Sequence, residues 1–276
     1  MNTILPSIAI IGTGSMGGAI LSGLLKPGVS VDGGIRVTNR TTAKAAAITG
    51  DGVTSLASDT EPRANHLAVA GAGIVIVAVK PAMVPDVLAD LAASIDPGAI
   101  VVSVAAGVTT ATMEALVPQV VFRAMPNTPS IVGRGVTGVS AGSRATDEAA
   151  ATVRALFGTV GSVLEIPESQ IDALSTISGS GPAYVFYLIE QLTATAVGLG
   201  FTAEQAALMV RDTFLGASEL LAESGEEPGE LRRRVTSPKG TTERAIAELE
   251  KANFTAVFDR ATAAALARAK EMAAGG

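Results

Sequence analysis

The stretch that decides the fold is Ile8-Ala-Ile-Ile-Gly-Thr-Gly-Ser-Met-Gly17. Its four apolar residues predict a strand, and the glycines that follow match the pattern G-x-G-x-x-G at the start of a helical sequence. In a βαβ unit such a turn binds a dinucleotide, because its second glycine lets the backbone approach a pyrophosphate at the helix N-terminus. A purely structural glycine turn is the alternative. The residues of this predicted cofactor-binding turn are Gly12, Thr13, Gly14, Ser15, Met16 and Gly17.

Short β-branched runs alternate with Ala-rich segments through the first half of the chain, which is typical of a parallel sheet built from βαβ units. The run 74–79 is apolar at every position, so we expect it in the middle of the sheet with both faces covered. The other predicted strands are 8–11, 35–38, 100–103 and 120–123, with edge strands at 135–140 and 162–166.

The hydrophobic pattern of the sequence changes near Pro167. After it, β-branched runs give way to apolar residues at helical spacing in 183–198, 203–223 and 254–274. The sequence therefore predicts an α/β Rossmann domain with a mostly parallel, doubly wound sheet over residues 1–166. An all-α C-terminal domain is predicted over residues 167–276. Its many Ala, Leu and Val side chains favour burial between subunits, so we expect at least a dimer.

Composition excludes several classes of protein. The 276 residues carry 26 acidic and 20 basic side chains, and a net charge of −6 disfavours nucleic acid as a partner. The absence of cysteine excludes disulfides and thiolate metal sites, and no metal is expected. The longest uncharged apolar stretch, 67–79, is 13 residues long, too short for a membrane span. Because no basic residue precedes Lys26, no signal peptide is predicted and a cytoplasmic location is expected.

Polar residues follow the predicted strand 35–38 at the carboxyl edge of the sheet, where open α/β sheets bind ligands. Asn39, Arg40 and Thr41 come there without an adjacent carboxylate. A guanidinium fork suits a 2′-phosphate, so NADPH is the expected cofactor, with NADH as the second choice. The alternative is a solvated arginine at a helix start.

Two further segments of the second half combine glycines and hydroxyl residues directly before predicted helices. Ser178-Gly-Ser-Gly-Pro182 suggests a backbone that a ligand approaches closely. Ser237-Pro-Lys-Gly-Thr-Thr242 would offer free N–H groups and threonine hydroxyls to a small carboxylate. Ordinary helix capping is the alternative for both segments.

These segments together resemble the pyrroline-5-carboxylate reductase family over essentially the whole chain. The stretches that carry the resemblance are 12–17, 79–81, 103–107, 123–129, 178–183 and 235–246. The resemblance implies an N-terminal Rossmann domain and a C-terminal dimerisation domain, with dimers often assembled into decamers. It also implies NAD(P)H-dependent reduction of a cyclic imine, 1-pyrroline-5-carboxylate, to L-proline in the last step of proline synthesis.

The resemblance further implies roles for individual residues. Cofactor-binding residues beyond the glycine turn would be Asn39, Arg40 and Asn65 towards the adenosine end, and Val79, Lys80, Pro81, Ala105, Ala106 and Asn127 towards the nicotinamide end. Substrate-binding residues would be Glu168, Ser178, Ser180, Ser237, Gly240, Thr241 and Thr242, with Thr242 and Ser175 as the candidate catalytic residues. Lys239 departs from the family, which usually has a small residue there.

The expected chemistry agrees with the scarcity of acid–base groups. A protonated C=N bond is already electrophilic, so an enzyme must chiefly hold its carbon against the nicotinamide and orient the ring nitrogen. A threonine hydroxyl suffices for that orientation.

Two rival classes of protein remain at this point. A β-hydroxyacid dehydrogenase would carry a catalytic lysine in a long C-terminal helix, whereas residues 182–221 contain none. A dinucleotide sensor would keep the glycine turn and lose the substrate loop.

Overall fold

Ten strands account for the β-structure of the computed structural model, which describes residues 3–273. They are β1 (Thr3–Leu5), β2 (Ile8–Ile11), β3 (Val29–Val31), β4 (Ile35–Asn39), β5 (Val53–Ala57), β6 (Ile74–Val77), β7 (Ile100–Ser103), β8 (Val120–Met125), β9 (Gly135–Ala141) and β10 (Gly161–Glu165). Eight of them form one sheet in the order β10-β9-β8-β7-β6-β2-β4-β5, while β1 and β3 pair separately. Every neighbouring pair is parallel except β8 and β9.

Helices connect the strands and make up the described C-terminal part. The N-terminal set is α1 (Ser15–Leu24), α2 (Thr42–Ala46), α3 (Ala64–Val69), α4 (Val84–Leu91), α5 (Thr110–Glu114) and α6 (Asp147–Gly158). The C-terminal set is α7 (Ile171–Leu174), α8 (Gly181–Gly198), α9 (Ala203–Ser224), α10 (Pro228–Arg234), α11 (Thr241–Lys251) and α12 (Phe254–Ala273). A π-helical turn, Ser175–Gly179, separates α7 from α8. Among the helices of residues 3–273, none is long and apolar enough to cross a membrane.

The central strand shows why an uninterrupted apolar run was required. In β6, Ile74 and Ile76 belong to the hydrophobic cluster on one face of the sheet, whereas Val75 and Val77 belong to the cluster on the other. All four are fully buried. The predicted central position is therefore confirmed, as is the fold class of a mostly parallel Rossmann-type sheet followed by helices.

The strands differ from the prediction in their position, extent and number. The run 135–140 was expected at an edge, and this was wrong, because β9 pairs with β8 on one side and β10 on the other. The crossover through α6 places β10 outside β9, so that β10 is the edge strand. The strand predicted over 74–79 ends at Val77. Three strands were missed, since β1 and β3 have three residues each and β5 mixes polar with apolar residues.

The chain divides into two compact units, Met1–Gly179 with Leu266–Gly276 (unit 1) and Ser180–Ala265 (unit 2). In unit 1, the segment 168–179 packs on the sheet, because a Cβ on Gly138 of β9 would lie 2.8 Å from Leu174 Cδ1. The domain border expected after residue 166 stays a prediction. Residue 274 of the last predicted helix lies outside the described residues, as do the ends of both predicted domains, 1–2 and 274–276.

Candidate active site

The glycine turn after β2 has the geometry that a pyrophosphate requires. Gly12 adopts φ +92°, a conformation that a glycine reaches without steric cost. A Cβ on Gly17 would collide with the carbonyl oxygen of Gly12, so this glycine permits close packing of α1 on the turn. Gly14 is the N-cap of α1 and faces open space, and the first turn of α1 carries no acidic residue. The helix N-terminus is therefore free to receive an anion.

The end of β4 offers polar groups for the adenosine end of a dinucleotide. The side chain of Asn39 is buried, and its Nδ2 has no hydrogen-bond partner among the described residues. Arg40 is exposed and makes no ion pair within residues 3–273. Asn65 lies in the first turn of α3, half-buried. An unpartnered buried amide and a free guanidinium fit a bound dinucleotide, because each would gain a partner from it.

A carboxylate that sequence reasoning missed binds Thr42, two residues after Arg40. Asp59 accepts hydrogen bonds from the N–H of Thr42 at 3.0 Å and from its hydroxyl at 2.9 Å. The backbone hydrogen bond first, and then the hydroxyl, lower the pKa of Asp59. The residue was missed because β5 was missed, since β5 pairs with β4 and brings Ala57 opposite Asn39.

The three segments expected at the nicotinamide end follow three adjacent parallel strands. Val79, Lys80 and Pro81 follow β6, Ala105 and Ala106 follow β7, and Asn127 follows β8. The carboxyl ends of these strands lie side by side, so the structure brings the three segments together along one edge of the sheet. Lys80 and Pro81 are exposed there, whereas Ala105 is buried.

Asn127 is engaged at both ends of its side chain. Its Oδ1 accepts from the N–H of Val136 at 2.8 Å, and its Nδ2 donates to the carbonyl oxygen of Ser178 at 2.9 Å. The amide thus ties the end of β8 to the π-helical turn. A contact between Asn127 and the cofactor stays a prediction.

A buried arginine joins the expected substrate residue Glu168 to the sheet. Arg123 of β8 is 4% exposed, and its Nη2 lies 2.6 Å from Asp172 Oδ1. Its Nη1 lies 3.7 Å from Glu168 Oε1, and Glu168 also accepts two hydrogen bonds from Thr110. Sequence reasoning placed Arg123 at the end of the predicted strand 120–123 and did not find this cluster. The available signal was a charged residue at the end of an apolar strand.

The π-helical turn holds Ser175 and Ser178 with their hydroxyl hydrogens already in use. Ser175 Oγ donates to the carbonyl oxygen of Asp172 at 2.7 Å, and Ser178 Oγ donates to that of Leu174 at 3.2 Å. Each hydroxyl oxygen keeps lone pairs, so both serines can still accept a hydrogen bond. π-Helical turns inside helices occur frequently at functional sites. Ser180 follows as the N-cap of α8, without a side-chain cap.

In unit 2, one tight turn gathers the remaining substrate candidates. Gly240 is the N-cap of α11 and supplies no side-chain acceptor, while Thr241 and Thr242 are the first residues of that helix. Ser237 accepts the N–H of Gly240 on its carbonyl oxygen at 3.0 Å. Lys239 adopts φ +61°, which is left-handed and uncommon for a lysine. Its N–H donates to Glu243 Oε2 at 2.9 Å.

Two family models match the chain. Residues 168–272 match the model described as pyrroline-5-carboxylate reductase dimerisation. Residues 7–107 match the model described as NADP oxidoreductase, coenzyme F420-dependent.

Curated proteins and solved structures match nearly the whole chain. A pyrroline-5-carboxylate reductase of Corynebacterium melassecola is 38% identical and covers 96% of this chain and 98% of its own. The enzyme of Pseudomonas aeruginosa is 37% identical, with 97% of each chain covered. A structure of a pyrroline-5-carboxylate reductase from Coxiella burnetii superposes with a TM-score of 0.86 at 36% identity, covering 96% and 97% of the two chains. A Plasmodium falciparum pyrroline carboxylate reductase with NADP bound gives 0.79 at 25% identity, covering 99% of each.

These matches confirm the resemblance that the motifs indicated. The glycine turn, the polar carboxyl edge and the uncapped start of α11 are thus features of a chain that belongs to the pyrroline-5-carboxylate reductase family of NAD(P)H-dependent oxidoreductases.

Proposed function

We propose that this chain reduces 1-pyrroline-5-carboxylate to L-proline with NADPH as its preferred reductant. The observation that carries the proposal is the uncapped N-terminus of α11, where Gly240 leaves the N–H groups of Thr241 and Thr242 without a side-chain acceptor. Such donors suit the carboxylate of a small substrate. The family assignment supports the same reaction.

The cofactor half of the proposal rests on residues of unit 1. The N–H groups at the start of α1 would hold the pyrophosphate, and the guanidinium of Arg40 would pair with the 2′-phosphate. The segments after β6 and β7 would flank the nicotinamide, which supplies a hydride when the cofactor is bound. Preference for NADPH over NADH follows from Arg40 being exposed and without an ion pair among the described residues.

The substrate half of the proposal assigns binding and orientation to hydroxyl and N–H groups. Gly240 and Thr241 would hold the carboxylate through their N–H groups, and the Thr242 hydroxyl would bond to the ring nitrogen. Ser175 would act only as an acceptor, because its hydrogen is donated to Asp172. No strong acid is needed, since the protonated imine is already electrophilic.

Self-association is supported by the match of residues 168–272 to a dimerisation model. Unit 2 exposes large apolar side chains on α8 and α9, including Phe186 at 62% and Leu215 at 61%. A surface of this kind is typical of subunit interfaces. We propose a dimer that can assemble further into a decamer. Sedimentation of the active protein at micromolar concentration should show at least a dimer, and a 27.6 kDa monomer would contradict this.

The cytoplasmic location expected from the sequence also stays a prediction.

The test is oxidation of NADPH by the purified chain in the presence of the cyclic imine. Turnover that yields proline supports the proposal. Oxidation with β-hydroxyacids instead would favour the dehydrogenase class. Binding of NADPH without turnover of any of these substrates would favour a dinucleotide sensor.

A further inference from the structure

The carboxylate of Glu168 secures the start of α5. Its Oε1 accepts from the N–H of Thr110 at 2.8 Å, and its Oε2 accepts from the Thr110 hydroxyl at 2.6 Å. Thr110 is the first residue of this five-residue helix, where N–H groups have no partner within the helix and negative charge is favourable. Both carboxylate oxygens of Glu168 are therefore engaged by one residue.

Arg123 fixes the direction of that carboxylate. The arginine side chain is 5% exposed and lies against both Asp172 and Glu168, with Asp172 the closer of the two at 2.6 Å. A buried guanidinium requires counter-charges, so the two carboxylates are held next to it. Glu168 is thereby kept between the strand β8 and the start of α5.

The segment that Glu168 secures is the loop 104–109 between β7 and α5. The loop begins at a local bond, in which the N–H of Ala105 donates to Ser103 Oγ at 3.2 Å. It ends at Thr110, which is held by a residue 58 positions further along the chain. Between these points lie Ala105 and Ala106, the residues expected beside the nicotinamide. Glu168 therefore holds the end of this loop that leads into α5.

We propose that Glu168 is a positioning residue, which acts on cofactor binding by holding Thr110 and the loop 104–109 rather than by contacting the imine. The inference rests on the proposed function, because it takes this loop to face the nicotinamide. Its signature is coupling between Glu168 and Thr110, since a change at either residue disrupts the hydrogen bond between the Thr110 hydroxyl and the Glu168 carboxylate. A direct contact with the substrate would give no such coupling.

The experiment is a double-mutant cycle with Glu168→Gln and Thr110→Val. The dissociation constant of NADPH is measured by fluorescence titration without the imine, and the KM of each substrate is measured separately. Each single variant should weaken NADPH binding by about 5- to 10-fold, which is the size of a typical net hydrogen-bond contribution. The double variant should be no weaker than the poorer single variant. Thr110→Ser keeps the hydroxyl and should restore the wild-type constant.

Asp172→Asn is the matched control, because it removes the other carboxylate beside Arg123 and leaves Thr110 untouched. It should lower the melting temperature without changing the NADPH constant. A raised KM for the imine in Glu168→Gln with an unchanged NADPH constant would overturn the inference, as would additive effects in the double variant. If Glu168→Gln does not fold, an unchanged NADPH constant in Thr110→Val overturns it and a raised constant supports it. A wild-type chain that binds NADPH without reducing the imine would refute the proposed function, while the NADPH titrations would still decide the role of Glu168.

Discussion

Within residues 3–273, three helices begin at a pair of threonines. Two of these helix starts are closed, meaning that side chains accept hydrogen bonds from their free N–H groups, whereas the third is open. In α2 the hydroxyl of Thr41 accepts the N–H of Lys44, and Asp59 binds the N–H and hydroxyl of Thr42. Helix α5 repeats this arrangement, with Thr109 as N-cap and Glu168 on Thr110. In both helices a threonine and a distant carboxylate satisfy the free N–H groups.

The start of α11 has neither device. Gly240 stands at the N-cap position, so no side chain there accepts from Thr241 or Thr242. The nearby carboxylate of Glu243 binds the N–H of Lys239, which precedes the N-cap. A pair of threonines is therefore part of a capped helix start in two places, whereas in the third place the start of the helix has no side-chain cap. The difference lies in the position of the pair, whose first threonine is the N-cap in α2 and α5 but follows the N-cap in α11, and in the carboxylate.

Closing the open end should have the largest effect. Gly240→Asp would place a carboxylate at the N-cap, where it would occupy the free N–H groups and repel an anionic substrate. We expect kcat/KM for the imine to be at least about 100-fold lower than in Gly240→Ala, because two hydrogen bonds to a charged group are lost. A Cβ at position 240 would lie 2.9 Å from the Ser237 carbonyl oxygen in either variant. Gly240→Ala is therefore the control, because it introduces the same close contact without the carboxylate. Equal activity of the two variants would contradict an open anion site.

Removing one hydroxyl from the open end is the next test. Thr242→Val keeps the β-branched shape, and we expect kcat/KM for the imine to fall by roughly 10- to 100-fold while NADPH binding is retained. Thr241→Val should do much less, since only its N–H is proposed to bind. If Thr242 acts only in the helix, the valine variant loses about 1 kcal/mol of stability with nearly intact kinetics. Melting temperature and kcat/KM measured together separate the two roles.

Because the start of α2 is closed, we propose that Arg40 recognises the 2′-phosphate of the cofactor. Arg40→Ala should weaken the use of NADPH by on the order of 10-fold or more and spare NADH, because the lost contact is a charge-assisted hydrogen bond. Lys44→Ala removes an exposed cation from α2, the helix that follows Arg40, and serves as the control. Steady-state kinetics with both cofactors check this expectation, and equal losses with NADPH and NADH would refute the role of Arg40.

The smallest expected effect concerns the closed end itself. Hydrogen bonds from Thr42 lower the pKa of Asp59, so its folded-state pKa lies below the unfolded value of about 3.9. Its stabilisation is then present above that unfolded value and lost as the pH falls through the folded one. Asp59→Asn should lower the urea midpoint at pH 7, and the difference from wild type should shrink at acid pH. A difference that is constant with pH would argue against an ionised Asp59.

The features that could be predicted from the sequence are those whose requirements are local. The turn from Gly12 to Gly17 is fixed by consecutive residues, and the buried strand β6 is fixed by its own composition. The contacts of Asp59 with Thr42 and of Glu168 with Thr110 were beyond such reasoning, because these partners are 17 and 58 residues apart in the chain. The prediction of β9 as an edge strand was wrong for the same reason. The antiparallel pairing of β8 and β9 leaves no mark in either strand alone.

Lys239 bears on how this enzyme would adapt to heat. A non-glycine residue in the left-handed conformation costs about 1 to 2 kcal/mol, and glycine would adopt the same φ of +61° with little strain. Lys239→Gly is therefore a candidate for a stabilising substitution, at the expense of a positive charge beside the open end of α11. Selection for thermal stability alone would be expected to replace this lysine early. Selection for affinity towards an anionic substrate would be expected to retain it.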